Sequence, residues 1–240
     1  MATAAAALLL MAASVHAQQT PAATAPVQTS PLQRASVTTV VLDPAHGGSD
    51  AGARGASGVI ESDVVLTFAR LLRAELERQG LRVVFTRQGT DNPSFDDRAA
   101  TANGQRNAIF ISLHVSSTGT VGTARAYSVP IPTTTETKPP TERSVLLRWD
   151  EAQESYAAQS RRLAELVQIQ LAQKFHGSPE VPAESVVHQL KTIASPAIAI
   201  ELSSVSVPDR TPLEQMAQPL AEAVARGVAA FRSLNDSGAR

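Results

Sequence analysis

The chain has 240 residues, 43% of them hydrophobic, with a formal net charge of −1 and no cysteine. This length supports one sizeable domain plus tails, and the near-neutral balance without a long basic run speaks against nucleic acid and against an anionic membrane surface. Disulfides and thiolate metal sites are excluded, so a metal must be held by histidine and carboxylate, and a nucleophile other than activated water must be Ser, Thr or Lys.

Residues 1–17 (MATAAAALLLMAASVHA) join a short apolar run to Val15-His16-Ala17 and read as an export signal, although no Lys or Arg precedes the run. Residues 18–36, rich in Gln, Thr, Ala and Pro, read as a flexible linker. A folded domain is expected over 37–235, with 236–240 as a tail. No segment approaches the roughly eighteen apolar residues of a membrane span, so no membrane span is expected. The reading is of an exported monomer, in the periplasm or the extracellular wall.

Folding is expected to begin with Thr38 to Gly48 (TTVVLDPAHGG), a buried strand that delivers His46 into a glycine turn. A Gly-rich loop follows, ending at Glu61. Val64, Val65, Phe68, Leu71, Leu72 and Leu76 then recur at helical spacing, giving a helix from Ser62 that Gly80 stops. Leu81–Thr86 is a second strand, Asp96–Asn103 a short helix, and Ala108–His114 a continuous apolar strand ending in a second histidine. Residues 123–131 suit an edge strand, and 131–142 a proline-rich exposed loop. A helix over 155–175 is expected to bury Tyr156, Leu163, Val167 and Leu171, with Trp149 and Tyr156 packing its start or, in the alternative, stacking on sugar. Ala197–Leu202 reads as the last central strand, ending near Glu201. Pro212 opens a short turn and Pro219 begins the terminal helix. The fold class is α/β: a single domain built on a mostly parallel twisted sheet with helices on both faces.

In such a sheet the carboxyl ends of the strands gather along one edge, where ligands bind. His46, His114 and Glu201 end strands there. Glu61 joins them because a helix that runs back along the sheet starts at that edge. Two imidazoles and a carboxylate form a ligand set of catalytic zinc sites, with Glu201 suited to proton transfer.

VVLDPAHGG, ESDVVL, LRVVFTR, ISLHVSS and PAIAIELSS, in this order, resemble the successive motifs of zinc-dependent N-acetylmuramoyl-L-alanine amidases of the type 3 amidase family. The resemblance implies Zn2+ held by His46, Glu61 and His114, with Glu201 in catalysis. It also implies hydrolysis of the amide between the lactyl group of N-acetylmuramic acid and L-alanine in peptidoglycan. Lys191 lies where the family often has arginine, which implies contact with a substrate carboxylate. The chain departs from the pattern at Ala45, Ser116, Ser203 and Ser204, none of which supplies one of the four chemical groups. Nothing in the sequence identifies an activator protein.

Two other readings are a catalytically silent peptidoglycan-binding module of the same fold, suggested by the altered ELSS segment, and a zinc peptidase acting within the stem peptide. Among the remaining polar residues, Asp43 and Asp63 are candidates for supporting positions. Arg87 and Arg98 suit buried pairs or loop caps, and His176 and His188 suit the surface.

Overall fold

β1 (Thr39–Pro44) is buried along its whole length, as its run of β-branched and apolar residues requires of a strand covered on both faces. It lies inside a six-stranded sheet of order β2-β1-β3-β6-β4-β5, built with β2 (Arg82–Phe85), β3 (Ala108–Ser116), β4 (Thr123–Ser128), β5 (Ala183–Glu184) and β6 (Ala197–Ser203). The computed structural model describes residues 36–131 and 148–237. The export signal, nearly all of the linker, residues 132–142 of the proline-rich loop and the last three residues of the tail lie outside them.

β1, β2, β3 and β6 are mutually parallel, and β4 runs antiparallel to β6. The expected edge strand is therefore one position inside the edge, covered by the two-residue β5. Alternation along each strand sorts the side chains onto two faces. Val40, Leu42, Ile109, Ile111, Ile198 and Ile200 meet α1 (Glu61–Arg78), α3 (Ala157–Lys174) and α5 (Thr211–Ser237). Val41, Phe110, Ala197 and Ala199 meet α2 (Phe95–Asn103) and α4 (His188–Lys191). Helices thus cover both faces. The first layer is the thicker, and Phe68 at its centre is 2% exposed; truncating such a side chain to alanine costs about 3–5 kcal/mol.

Three expectations are corrected. Pro219 lies inside α5 rather than starting a helix. Proline removes one intrahelical hydrogen bond, at a cost of about 3 kcal/mol. Here that cost is outweighed by the burial of Leu213, Met216, Ala217, Leu220, Ala221 and Val224 on both sides of the proline. Trp149 does not pack the start of α3: it opens a 3-10 helix (Trp149–Tyr156) and is 63% exposed, while Ala152 and Gln153 fill the interior. Tyr156 is only half-buried. None of the described helices is long and apolar enough to cross a membrane.

Candidate active site and metal centre

His46 follows β1 in a turn whose backbone is left-handed at three successive positions, with φ of 61° at His46, 134° at Gly47 and 55° at Gly48. Glycine takes such angles freely, whereas histidine does so at some cost, a pattern found where function needs a side chain aimed. Paired hydrogen bonds between the backbones of Gly47 and Asp50 close the turn. Asp50 is thereby set with its Oδ2 2.8 Å from His46 Nδ1. This sets the proton on Nδ1 and turns Nε2 towards Glu61.

Glu61 is the first residue of α1, and its side chain is 5% exposed. The amides of Ala53 and Val115 donate to its two carboxylate oxygens at 2.8 and 3.0 Å. Those oxygens stand between the imidazoles: Oε2 is 3.2 Å from His46 Nε2, and Oε1 is 3.1 Å from His114 Nδ1. Burial pushes the Glu61 carboxyl up, but bonds from His114, His46, Ala53 and Val115 outweigh it and hold the group well below the usual carboxylate range. The Glu61 hydrogen bond in turn raises the His46 imidazolium to about 9, against the opposing effect of burial and with further support from Asp50.

His114 is anchored from behind. Its Nε2 is 3.2 Å from Ser112 Oγ, and that hydroxyl donates to Asp43 Oδ2 at 2.8 Å. Asp43, fully buried, is neutralised by Arg98 at 2.5 Å and accepts from Thr86 Oγ1 at 2.6 Å. Arg98 also donates to the His46 carbonyl at 2.8 Å. Arg87 donates to the carbonyls of Pro44, Ala45 and Ser62 at 2.7, 2.9 and 2.8 Å, tying the end of β1 to the start of α1. Asp43 thus holds a supporting position and Asp63, the other candidate, is exposed; Arg98 forms the expected buried pair and Arg87 caps loop carbonyls.

The donor atoms of His46, Glu61 and His114 lie within 4.8 Å of one another. In a tetrahedral shell with bonds of about 2.0–2.2 Å, ligand atoms stand roughly 3.3–3.6 Å apart. Each histidine stands at close to that separation from its own oxygen of Glu61, and one donor atom from each residue falls within 4.8 Å of the others, so the group can hold a metal ion. Nitrogen and carboxylate donors suit zinc and its neighbours better than calcium or magnesium.

Glu201 stands directly opposite His114 in the parallel register of β6 and β3. It is half-buried, and Tyr127 Oη donates to its Oε1 at 3.4 Å. Arg125 faces it from β4. Asp50, Ser112, Arg125 and Tyr127 were not singled out from the sequence. Only Asp50, four residues after His46 in a glycine turn, carried a local signal.

Lys191 is placed elsewhere. It lines a cavity of about 360 Å³ with Asp150, Glu151 and Glu154, whereas Gln189 of the same helix lines a cavity of about 440 Å³ with His46 and Arg98. Two residues along a helix turn the side chain by about 200°, which separates the two. His176 and His188 are exposed, as expected.

A family model described as N-acetylmuramoyl-L-alanine amidase matches residues 40–230. The chain belongs to this family. The matched span carries all four residues of the constellation. Within the family, the chain is 42% identical over 76 residues to the N-acetylmuramoyl-L-alanine amidase AmiC of Escherichia coli, an alignment that covers 31% of this chain and 18% of that protein. Less than a fifth of that relative's length is therefore spanned. Of solved structures, the amidase AmiC2 of Nostoc punctiforme is 26% identical with a TM-score of 0.61, covering 80% of this chain and 96% of that one. The amidase of Clostridium difficile 630 has a TM-score of 0.63 at 23% identity, covering 82% and 97%, and supports the fold.

Proposed function

We propose that this amidase-family protein hydrolyses the amide joining the lactyl group of N-acetylmuramic acid to L-alanine of the peptidoglycan stem peptide, with zinc held by His46, Glu61 and His114. The observation that carries the reading is the convergence of those three donors, each fixed by a further hydrogen bond, beside the carboxylate of Glu201. Zinc bound there supplies a Lewis acid that polarises the carbonyl and lowers the pKa of water from 15.7 towards about 7. Asp50 and the Asp43–Ser112 pair hold the two imidazoles in the tautomers that present Nε2 and Nδ1. Glu201 takes the proton of the attacking water and returns it to the leaving nitrogen, so the amide becomes a carboxylic acid and a free amine. Tyr127 holds one oxygen of Glu201, leaving the other for the proton. The complete set of groups favours this reading over a silent binding module. A wall substrate also agrees with an export signal at residues 1–17 and with action in the periplasm or the extracellular wall.

The test is to incubate purified peptidoglycan with the zinc-loaded protein and tag the newly exposed amino termini. Tagged L-alanine supports the proposal. A tag on a residue further along the stem would mean a peptidase, and no tag at full zinc occupancy a silent module.

A further inference from the structure

The chain has six phenylalanines, two tyrosines and one tryptophan. Phe95 is 51% exposed and Trp149 63% exposed, whereas all the others are buried or half-buried. A single exposed ring needs no explanation. These two, however, each line a hollow against one helix, and the hollow of Phe95 also holds His46. Phe95 opens α2 and lines the 440 Å³ cavity with His46, Asn92 and Gln189. Trp149 lines a hollow of about 330 Å³ with Asp96, Ala99 and Asn103 of α2. Phe95 and Asp96, consecutive in the first turn of α2, place both hollows against the same end of that helix. From Phe95 to Asn103 the helix rises about 12 Å, more than the span of one hexose ring.

Flat apolar rings with amide and carboxylate groups beside them match a sugar, whose C–H face covers a ring while its hydroxyls bond to polar side chains. The charge around the rings narrows the choice of occupant. Asp50 lines the first hollow beside Arg98, whose charge is met by the buried Asp43, and Asp96 lines the second, while Asp150 and Glu151 next to Trp149 are paired with Arg148. Such a border disfavours a polyanion or a stem peptide bearing free carboxylates, but tolerates a saccharide whose lactyl carboxyls are tied up as amides.

We propose that the exposed side of α2 is a saccharide groove, with Phe95 as the platform beside the reacting amide and Trp149 as a second platform further along the glycan strand. This rests on the amide-hydrolysis reading above. It adds a consequence for turnover, because hydrolysis leaves a carboxylate on the sugar beside Asp50 and Asp96, which weakens the hold on product.

Trp149 is the chain's only tryptophan, so its fluorescence reports the groove without requiring catalysis. The probe is the neutral β-1,4-linked tetramer of N-acetylglucosamine, titrated into the full-length zinc-loaded protein. A saturable change in emission is expected. Phe95→Ala should raise the half-saturating concentration about tenfold, the factor that 1.4 kcal/mol represents, and Phe95→Tyr should restore it. Trp149→Ala should raise KM on polymeric peptidoglycan, with kcat unchanged, and leave KM unchanged on a substrate with a single sugar. An emission change with free stem peptide and none with the saccharide would overturn the proposal. So would no saccharide response from protein that releases peptides from the wall. Saccharide binding by protein that releases none would leave the groove standing and remove the hydrolysis reading instead.

Discussion

His114 and Glu201 face each other across adjacent parallel strands, so the proposed metal donor and the proposed proton-transfer group share one sheet face at neighbouring positions. Because Glu201 is not among the three grouped donors, proton transfer and metal binding should separate in a variant. Glu201→Gln should lower kcat by about 10²–10⁴ while retaining a full equivalent of zinc. Tyr127→Phe should give a smaller fall and a shifted pH profile. Zinc analysis beside steady-state kinetics checks both, and loss of metal from Glu201→Gln would move Glu201 into the donor set.

His46→Ala and His114→Ala should each lose most of the bound zinc, since two donors remain where three converged. Ser112→Ala should retain zinc with about 10–100-fold weaker affinity, because it removes only the support behind His114. Competition with a metallochromic chelator measures all three. Equal affinity in Ser112→Ala and the unaltered protein would show that the Asp43–Ser112 support is idle.

Gly52 has φ of 65°, and a Cβ there would stand 2.5 Å from both Glu61 Oε2 and His46 Cδ2. Gly52→Ala should therefore displace two donors at once and weaken zinc binding at least as much as Ser112→Ala. Far-UV circular dichroism should show the fold intact. Unchanged zinc affinity would mean that the Gly52 loop is free to move aside.

Arg98 and Asp43 form a pair with side chains 4% and 0% exposed. Removing one partner of such a pair strands a buried charge, so Arg98→Ala should destabilise the protein by about 3–5 kcal/mol. Arg98→Lys should rescue little, because one ammonium cannot reach Asp43, the His46 carbonyl and the Pro93 carbonyl together. Urea unfolding of the metal-free protein measures this without the contribution of zinc.

The four central groups were legible because their placement depends on strand direction alone. Apolar runs ending in His46, His114 and Glu201 define the edge, and a helix beginning at Glu61 must start there. What escaped the sequence depends on register and on angles around an axis. Tyr127 reaches Glu201 only because β4 pairs antiparallel with β6, and Lys191 departs from the cavity that Gln189 lines because of helical rotation. Pro219 and Trp149 were misread for a related reason. A local propensity was taken to decide, where tertiary packing carried α5 through the proline and left the indole outside.

The most direct test of the central claim is the mass of the soluble products from exhaustive digestion of purified peptidoglycan. Hydrolysis at the lactyl amide predicts whole stem peptides with a free L-alanine amino terminus and glycan strands bearing free lactyl carboxyls. Both should vanish with Glu201→Gln or on chelation, and return when zinc is restored. Stem peptides cut between amino acids, or full release of L-alanine-terminated peptides by zinc-depleted protein, would contradict it.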